Sequence, residues 1–255
     1  MKKIGYALSG GGVRGLAHLG VIQALQEFEI KPTIISGTSA GSLMGAFIAA
    51  DYSPKEILSI AKNSGIFSFS NILFRKQGLF AMKAFETLFL KYIPHNSFEK
   101  LSLPLTVTAT DIVKGESVYF NSGELAKPLM ASSCVPLVFE PISYKDMLLL
   151  DGGILNNLPI EPLQGNCDKL IGIHVNSISK QMKNLHMKDI ADRSFHLALS
   201  SAIPLKAKQC DLFIEPPEMT KFGIFEMDKM QEVVDYAYKY TLSLKNEIEK
   251  FKQSI

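Results

Sequence analysis

Three short segments of this 255-residue chain hold residues whose types and spacing could do chemistry. Gly10, Gly12 and Gly15 fit G-x-G-x-x-G directly after the apolar run Ile4–Leu8. Gly37-Thr38-Ser39-Ala40-Gly41 fits G-x-S-x-G, the pattern of a nucleophile elbow, in which a sharp strand-to-helix turn exposes a serine hydroxyl. Asp151 follows the apolar run Met147–Leu150 and precedes Gly152 and Gly153. Function gathers at strand C-termini in α/β sheets, so a strand-end carboxylate there is a candidate base.

The glycine loop has to be tested first as a nucleotide site. A dinucleotide fingerprint wants an acidic residue about 20 positions later to hold the ribose. The second strand candidate ends Ile34-Ile35-Ser36-Gly37-Thr38, and no acidic residue lies between Lys31 and Ala50. A P-loop also fails, because no Gly-Lys-Ser/Thr follows. What remains is a plain tight turn, or a loop of bare N–H groups at a helix N-terminus. The second would stabilise an anion, including the oxyanion of an acyl-transfer intermediate, with Arg14 adding positive charge nearby.

A serine needs an adjacent base. The histidines are His18, His95, His174, His186 and His196. His18 falls in the first helix, His95 follows a proline in a loop, and His186 and His196 sit in a polar stretch. His174 ends a strand and is the one histidine placed to join a triad. Asp151 is the better candidate, with a simple turn aspartate as the alternative.

The elements that must position these residues alternate. Strands are expected at Ile4–Leu8, Thr33–Ser36, Leu105–Asp111, Ser117–Phe120, Leu148–Leu150, Lys169–Val175 and Leu212–Ile214. Helices are expected at Gly15–Phe28 and Gly41–Ala50, with a long amphipathic helix from Met227 to about Phe251. This order predicts an α/β fold with a mostly parallel sheet covered by helices on both faces. The length suits a single domain. The stretch Gly65–Ile93 is rich in phenylalanine and reads either as helical core or as a lid that touches acyl chains or a membrane surface.

Bulk properties narrow the function classes. The net charge of +2 argues against nucleic-acid binding. Three well-separated cysteines fit neither a disulfide framework nor a zinc site, so a reducing compartment is the simplest expectation. No window holds the roughly 20 apolar residues of a spanning helix. A cytoplasmic protein is expected, at most peripheral at a membrane.

Four blocks together resemble the patatin-like phospholipase family: Gly10–Gly15, Gly37–Gly41, Ala131-Ser132-Ser133-Cys134-Val135-Pro136-Leu137-Val138-Phe139-Glu140-Pro141, and Asp151-Gly152-Gly153-Ile154-Leu155-Asn156-Asn157-Leu158-Pro159. The match runs from about Ile4 to Glu215. The resemblance implies a three-layer α/β/α sandwich and acyl-ester hydrolysis by a Ser39–Asp151 dyad with no histidine. It implies an oxyanion hole in the loop Gly10, Gly11, Gly12, Arg14 and Gly15, with the N–H groups of Gly11 and Gly12 as donors. Gly37 and Gly41 would shape the elbow, and Gly152 and Gly153 the turn after the aspartate. The third block would form a helix end and turn that shape the site wall. No metal or other cofactor is implied, and the partner is a lipid or other acyl-ester substrate. A thioesterase or acyltransferase on the same dyad, or a non-catalytic regulatory protein of this fold, is the alternative. The oligomeric state stays open.

Overall fold

The computed structural model describes residues 2–64, 78–136, 138–178, 186–223 and 226–255. It is built on one eight-stranded sheet. The strands are β1 (Ile4–Leu8), β2 (Ile34–Thr38), β3 (Leu105–Asp111), β4 (Glu116–Phe120), β5 (Ile142–Tyr144), β6 (Met147–Asp151), β7 (Lys169–Ile173) and β8 (Leu212–Ile214). The described helices are α1 (Ala17–Glu27), α2 (Ala40–Ala49), α3 (Pro54–Ser64), α4 (Gly78–Tyr92), α5 (Ala126–Ser132), α6 (Met187–Ser200), α7 (Ile203–Ala207), α8 (Met230–Ser243) and α9 (Lys245–Gln253).

Strand β1 explains the layering. Its side chains alternate, so Ile4, Tyr6 and Leu8 enter the large core packed by α1, α2, α3, α8 and α9. Ala7 faces the other way, onto Leu158, Ile160, Leu163 and Ile203 of α7. The sheet is therefore covered on both faces, and its central strands β1, β2, β3 and β7 are almost wholly buried, as in a parallel sheet, with Ser36, Thr38, Thr106, Thr108, Thr110 and Asp111 as buried polar residues among the apolar ones. Strands β1, β2, β3, β7 and β8 are parallel, while β4 and β6 run antiparallel to β3.

The registers on β3 position the site. β4 pairs with Val107–Asp111 and occupies one edge. The other edge is shared: β2 runs parallel along Leu105–Thr108, and β6 runs antiparallel along Ala109–Asp111. Thr38 pairs with Thr108 and Asp151 with Ala109. The C-terminal ends of β2 and β6 thus meet head to head, which brings the residue after Thr38 beside Asp151.

Several expectations need correction. The first helix begins with a tight 3-10 turn at Gly12–Leu16, and α1 proper starts at Ala17. The long C-terminal helix is two helices that break at Leu244. There Thr241 and Ser243 hydroxyls bond back to the carbonyls of Ala237 and Tyr240, local bonds that compete with helix continuation. Ile248 and Phe251 still enter the main core, so the apolar period runs across the break. In the Gly65–Ile93 stretch, Phe89 and Ile93 are core residues and Phe85 packs against them. Phe67, Phe69, Ile72, Leu73 and Phe74 lie outside the described residues, as do the side chains of Leu79 and Phe80. Among the described residues no helix is long and apolar enough to cross a membrane.

Candidate active site

Ser39 is the turn between β2 and α2, with φ 52° and ψ −123°. A non-glycine residue in that region is strained by about 1–3 kcal/mol and needs its surroundings to hold it. Here its carbonyl accepts from Ser42 N at 3.0 Å and Ser42 Oγ at 2.6 Å. Its own N–H donates to Ser132 Oγ at 2.7 Å, and Ser132 Oγ–H donates onward to Thr108 O at 2.6 Å. Ser132 is the last residue of α5 and fully buried. The third sequence block thus clamps the elbow from behind. Ser132→Ala would leave a buried N–H and a buried carbonyl unpaired. It is expected to cost about 1–3 kcal/mol, read as a lower urea midpoint at unchanged slope.

The Ser39 hydroxyl donates to Asp151 Oδ2 at 2.6 Å. The other carboxylate oxygen, Oδ1, accepts from Gly153 N at 2.7 Å. The Asp151 backbone is tied on both sides, by its N–H to Cys134 O at 2.9 Å and by its carbonyl to Thr110 Oγ1 at 3.0 Å. Burial pushes the Asp151 carboxyl up from 3.8 to about 6, against the pull of the Ser39 and Gly153 hydrogen bonds.

The glycine loop arches over the same place. Gly10 N–H donates to Asn157 O at 3.1 Å, and Gly10 O accepts from Asn176 Nδ2 at 2.8 Å. Gly12 has φ 57°, a conformation that favours glycine. The N–H groups of Gly11 and Gly12 have no acceptor among the described residues and border the pocket above Ser39. Gly15 and Arg14 do not line the pocket. Gly15 packs under Ala40 of α2, and Arg14 Nε donates to Phe222 O at 2.7 Å, tying the loop to the C-terminal region. Gly37 and Gly41 let strand and helix approach, and Gly152 packs on the Thr108 carbonyl.

The pocket has two kinds of wall. Val135, Pro136, Val138, Phe139, Ile154 and Leu199 make an apolar side, and Asn157, Asn176, His196 and Ser200 a polar one. The third block therefore lines the pocket through the turn after α5. His196 and Leu199 come from α6, a helix that the polar stretch around His186 did not suggest. In the sequence Asn157 is no more than a member of the fourth block, and its place in the wall is set by tertiary contacts.

His18 and His174 are buried outside the pocket. His18 is fully buried, bonds Ser9 O at 2.8 Å, and is pushed down to about 4 by burial. His174 follows β7, pairs with Glu215 at 2.5 Å and stacks on Phe213. Neither it nor His18 lines the pocket. No cluster of potential metal ligands occurs among the described residues.

A family model for patatin-like phospholipases matches residues 6–163, more than half of the chain. The chain belongs to the patatin-like phospholipase family. An uncharacterized NTE family protein of Mycobacterium tuberculosis is 34% identical over 186 residues, covering 68% of this chain and 49% of that protein. The lysophospholipase nte1 of Aspergillus fumigatus is 30% identical over 184 residues, 69% of this chain and 12% of that protein. The chain thus spans about half the length of the mycobacterial relative and a small part of the fungal one. The patatin-like fold is also that of VipD from Legionella pneumophila, which aligns with 98% of this chain and 67% of its own at a TM-score of 0.57 and 17% identity.

Proposed function

We propose that this chain is a serine esterase acting on acyl esters of lipids, with Ser39 as nucleophile and Asp151 as base. The observation that carries this reading is the 2.6 Å hydrogen bond from Ser39 Oγ to Asp151 Oδ2, made at the floor of a pocket. The lipid substrate class is supported by the family and by the lysophospholipase relatives.

In acylation, Ser39 Oγ bonds to the ester carbonyl carbon while its proton passes to Asp151 Oδ2. The carbonyl electron pair moves onto oxygen, and the resulting oxyanion accepts from the N–H groups of Gly11 and Gly12. The positive end of α2 favours the same charge. Collapse breaks the bond to the alcohol oxygen, which takes the proton from Asp151. A water then gives its proton to Asp151 and attacks the acyl-enzyme. Release of the acid returns the proton to Ser39.

An ordinary aspartate is a weak base, and the burial that lifts Asp151 to about 6 brings it close to a useful range. The base must be ionised to act. With p-nitrophenyl butyrate, kcat/KM is expected to rise as pH climbs through about 6 and then to level. An acid limb centred near 4 would mean that a solvated carboxylate governs the rate.

A fluorophosphonate probe tests the nucleophile. It should label the wild-type chain at Ser39 and leave Ser39→Ala unlabelled. A panel of phospholipid, lysophospholipid, triglyceride and acyl-thioester then separates esterase from thioesterase. His174→Ala should keep most of the activity, and its loss with an intact fold would replace the dyad by a triad.

A further inference from the structure

Asn156 and Asn157 are neighbours in sequence and are used very differently. Asn156 is 5% exposed and its carboxamide is fully engaged. Its Nδ2 donates to Tyr119 Oη at 2.9 Å and Glu161 Oε2 at 2.8 Å, and its Oδ1 accepts from Lys206 Nζ. Asn157 is 8% exposed, lines the pocket with Ser39 and Asp151, and its side chain makes no hydrogen bond among the described residues. A carboxamide more than nine-tenths buried, with no protein partner and open only toward a pocket, is placed to meet a bound group.

The contacts of Asn157 say which end is available. A Cβ built on Gly10 would fall 2.6 Å from Asn157 Oδ1, and one on Gly153 would fall 3.1 Å from it. The oxygen is therefore packed against the α-carbons of both glycines, which leaves the two N–H donors of Nδ2 for a bound group. The same Gly10 position lies 3.2 Å from Ser39 Cβ, so the carboxamide stands beside the nucleophile, between glycine loop and base turn. Its backbone carbonyl, bonded to Gly10 N–H at 3.1 Å, holds it there.

The geometry points to Asn157 as a side-chain donor to the acyl carbonyl oxygen, acting with Gly11 and Gly12 as that oxygen becomes an oxyanion. The inference rests on the esterase reading above. As the Ser39 Oγ–carbon bond forms and the Ser39 proton goes to Asp151, the carbonyl pair moves to oxygen, and Nδ2–H meets that charge. It transfers no proton, so the acid–base chemistry stays with Asp151.

The experiment compares Asn157→Ala and Asn157→Asp with wild type and Ser39→Ala, using p-nitrophenyl butyrate and an alkyl trifluoromethyl ketone as transition-state mimic. Removing one oxyanion donor lowers kcat by roughly 10²–10³-fold. Asn157→Ala is expected to show that loss with KM nearly unchanged, a parallel loss of ketone affinity, and an unmoved acid limb of the pH profile. Asn157→Asp fills the same volume, so a purely structural role would make it the milder change. A donor role makes it at least as damaging as Ala, since a carboxylate repels the oxyanion. Should Ala stay within threefold of wild type, or Asp retain more activity than Ala, the inference is overturned. An active Ser39→Ala would instead overturn the esterase reading itself, so the two failures are distinguishable.

Discussion

Asp151→Asn is expected to abolish ester hydrolysis while making the folded protein more stable at neutral pH. The rate loss follows from the proton inventory: an amide cannot accept the Ser39 proton, and loss of an essential base costs about four orders of magnitude or more. The stability gain follows from burial. The Asp151 carboxyl ionises near 6 in the fold and near 3.8 in a solvated chain. Below about pH 4 both states are protonated and nothing is lost. Between 4 and 6 the unfolded chain releases its proton first, so stability falls as pH rises through that window. Above it the full penalty remains, about 3 kcal/mol at 1.4 kcal/mol per pH unit. Asparagine keeps the shape, can accept from Gly153 N–H and donate to Ser39 Oγ, and carries no charge. A thermal scan at pH 7.5 should show a melting temperature roughly 6–12 °C above wild type, and the gap should close toward pH 4. An equal melting temperature at pH 7.5 would mean that Asp151 is not ionised against a desolvation cost. Activity and stability pull in opposite directions at this one side chain, as at many functional sites.

Ser39 and Asp151, the two residues of the proposed dyad, stand out in the sequence, and the reason they meet does not. Ser39 announces itself because an elbow is a local pattern: strand, serine between glycines, small-residue helix. Asp151 announces itself by a strand end and two glycines. Their meeting depends on β2 and β6 sharing one edge of β3 head to head, with Thr108 and Ala109 as the junction. Such a register is set by packing across 112 residues of chain, which no short pattern encodes. The antiparallel course of β6 was hidden for a related reason. Its partner β5 connects through Lys145-Asp146, both at positive φ, a hairpin turn that usually shows itself as Asn-Gly or Asp-Gly. Arg14 is a different case: charge beside a glycine loop suggests help for an anion, and in the fold its Nε donates to the Phe222 carbonyl. Position in sequence locates an arginine's backbone, while its long side chain answers to tertiary partners.

Gly41→Ala is expected to destabilise the protein by about 3 kcal/mol and to lose activity, although alanine is the better helix former. Gly41 is in the first turn of α2, where the helix crosses the end of β1. An added Cβ would lie 2.3 Å from Leu8 O and 2.5 Å from Ser9 O. These are backbone atoms at the end of β1 and of the residue after it, and they cannot step aside as a side-chain tip can. Relief requires α2 to lift, and α2 carries Ser39 at its start. The serine is then drawn from Asp151 and from the glycine loop together, and a displacement of about 1 Å is enough to cost about 10²-fold in rate. Gly45, one turn further along the same helix, is the matched control. Its Cβ would meet Ile35 Cγ2 at 3.0 Å and Leu105 Cδ1 at 3.1 Å, side-chain methyls that need to give by only a few tenths of an ångström. There the gain in helix propensity, up to about 1 kcal/mol, offsets the crowding, and Gly45→Ala should stay within about 1 kcal/mol of wild type. Urea unfolding of the two variants side by side checks the argument. Equal destabilisation would mean that helix packing alone matters, whereas a large loss at position 41 alone marks the β1–α2 crossing as the support on which Ser39 stands.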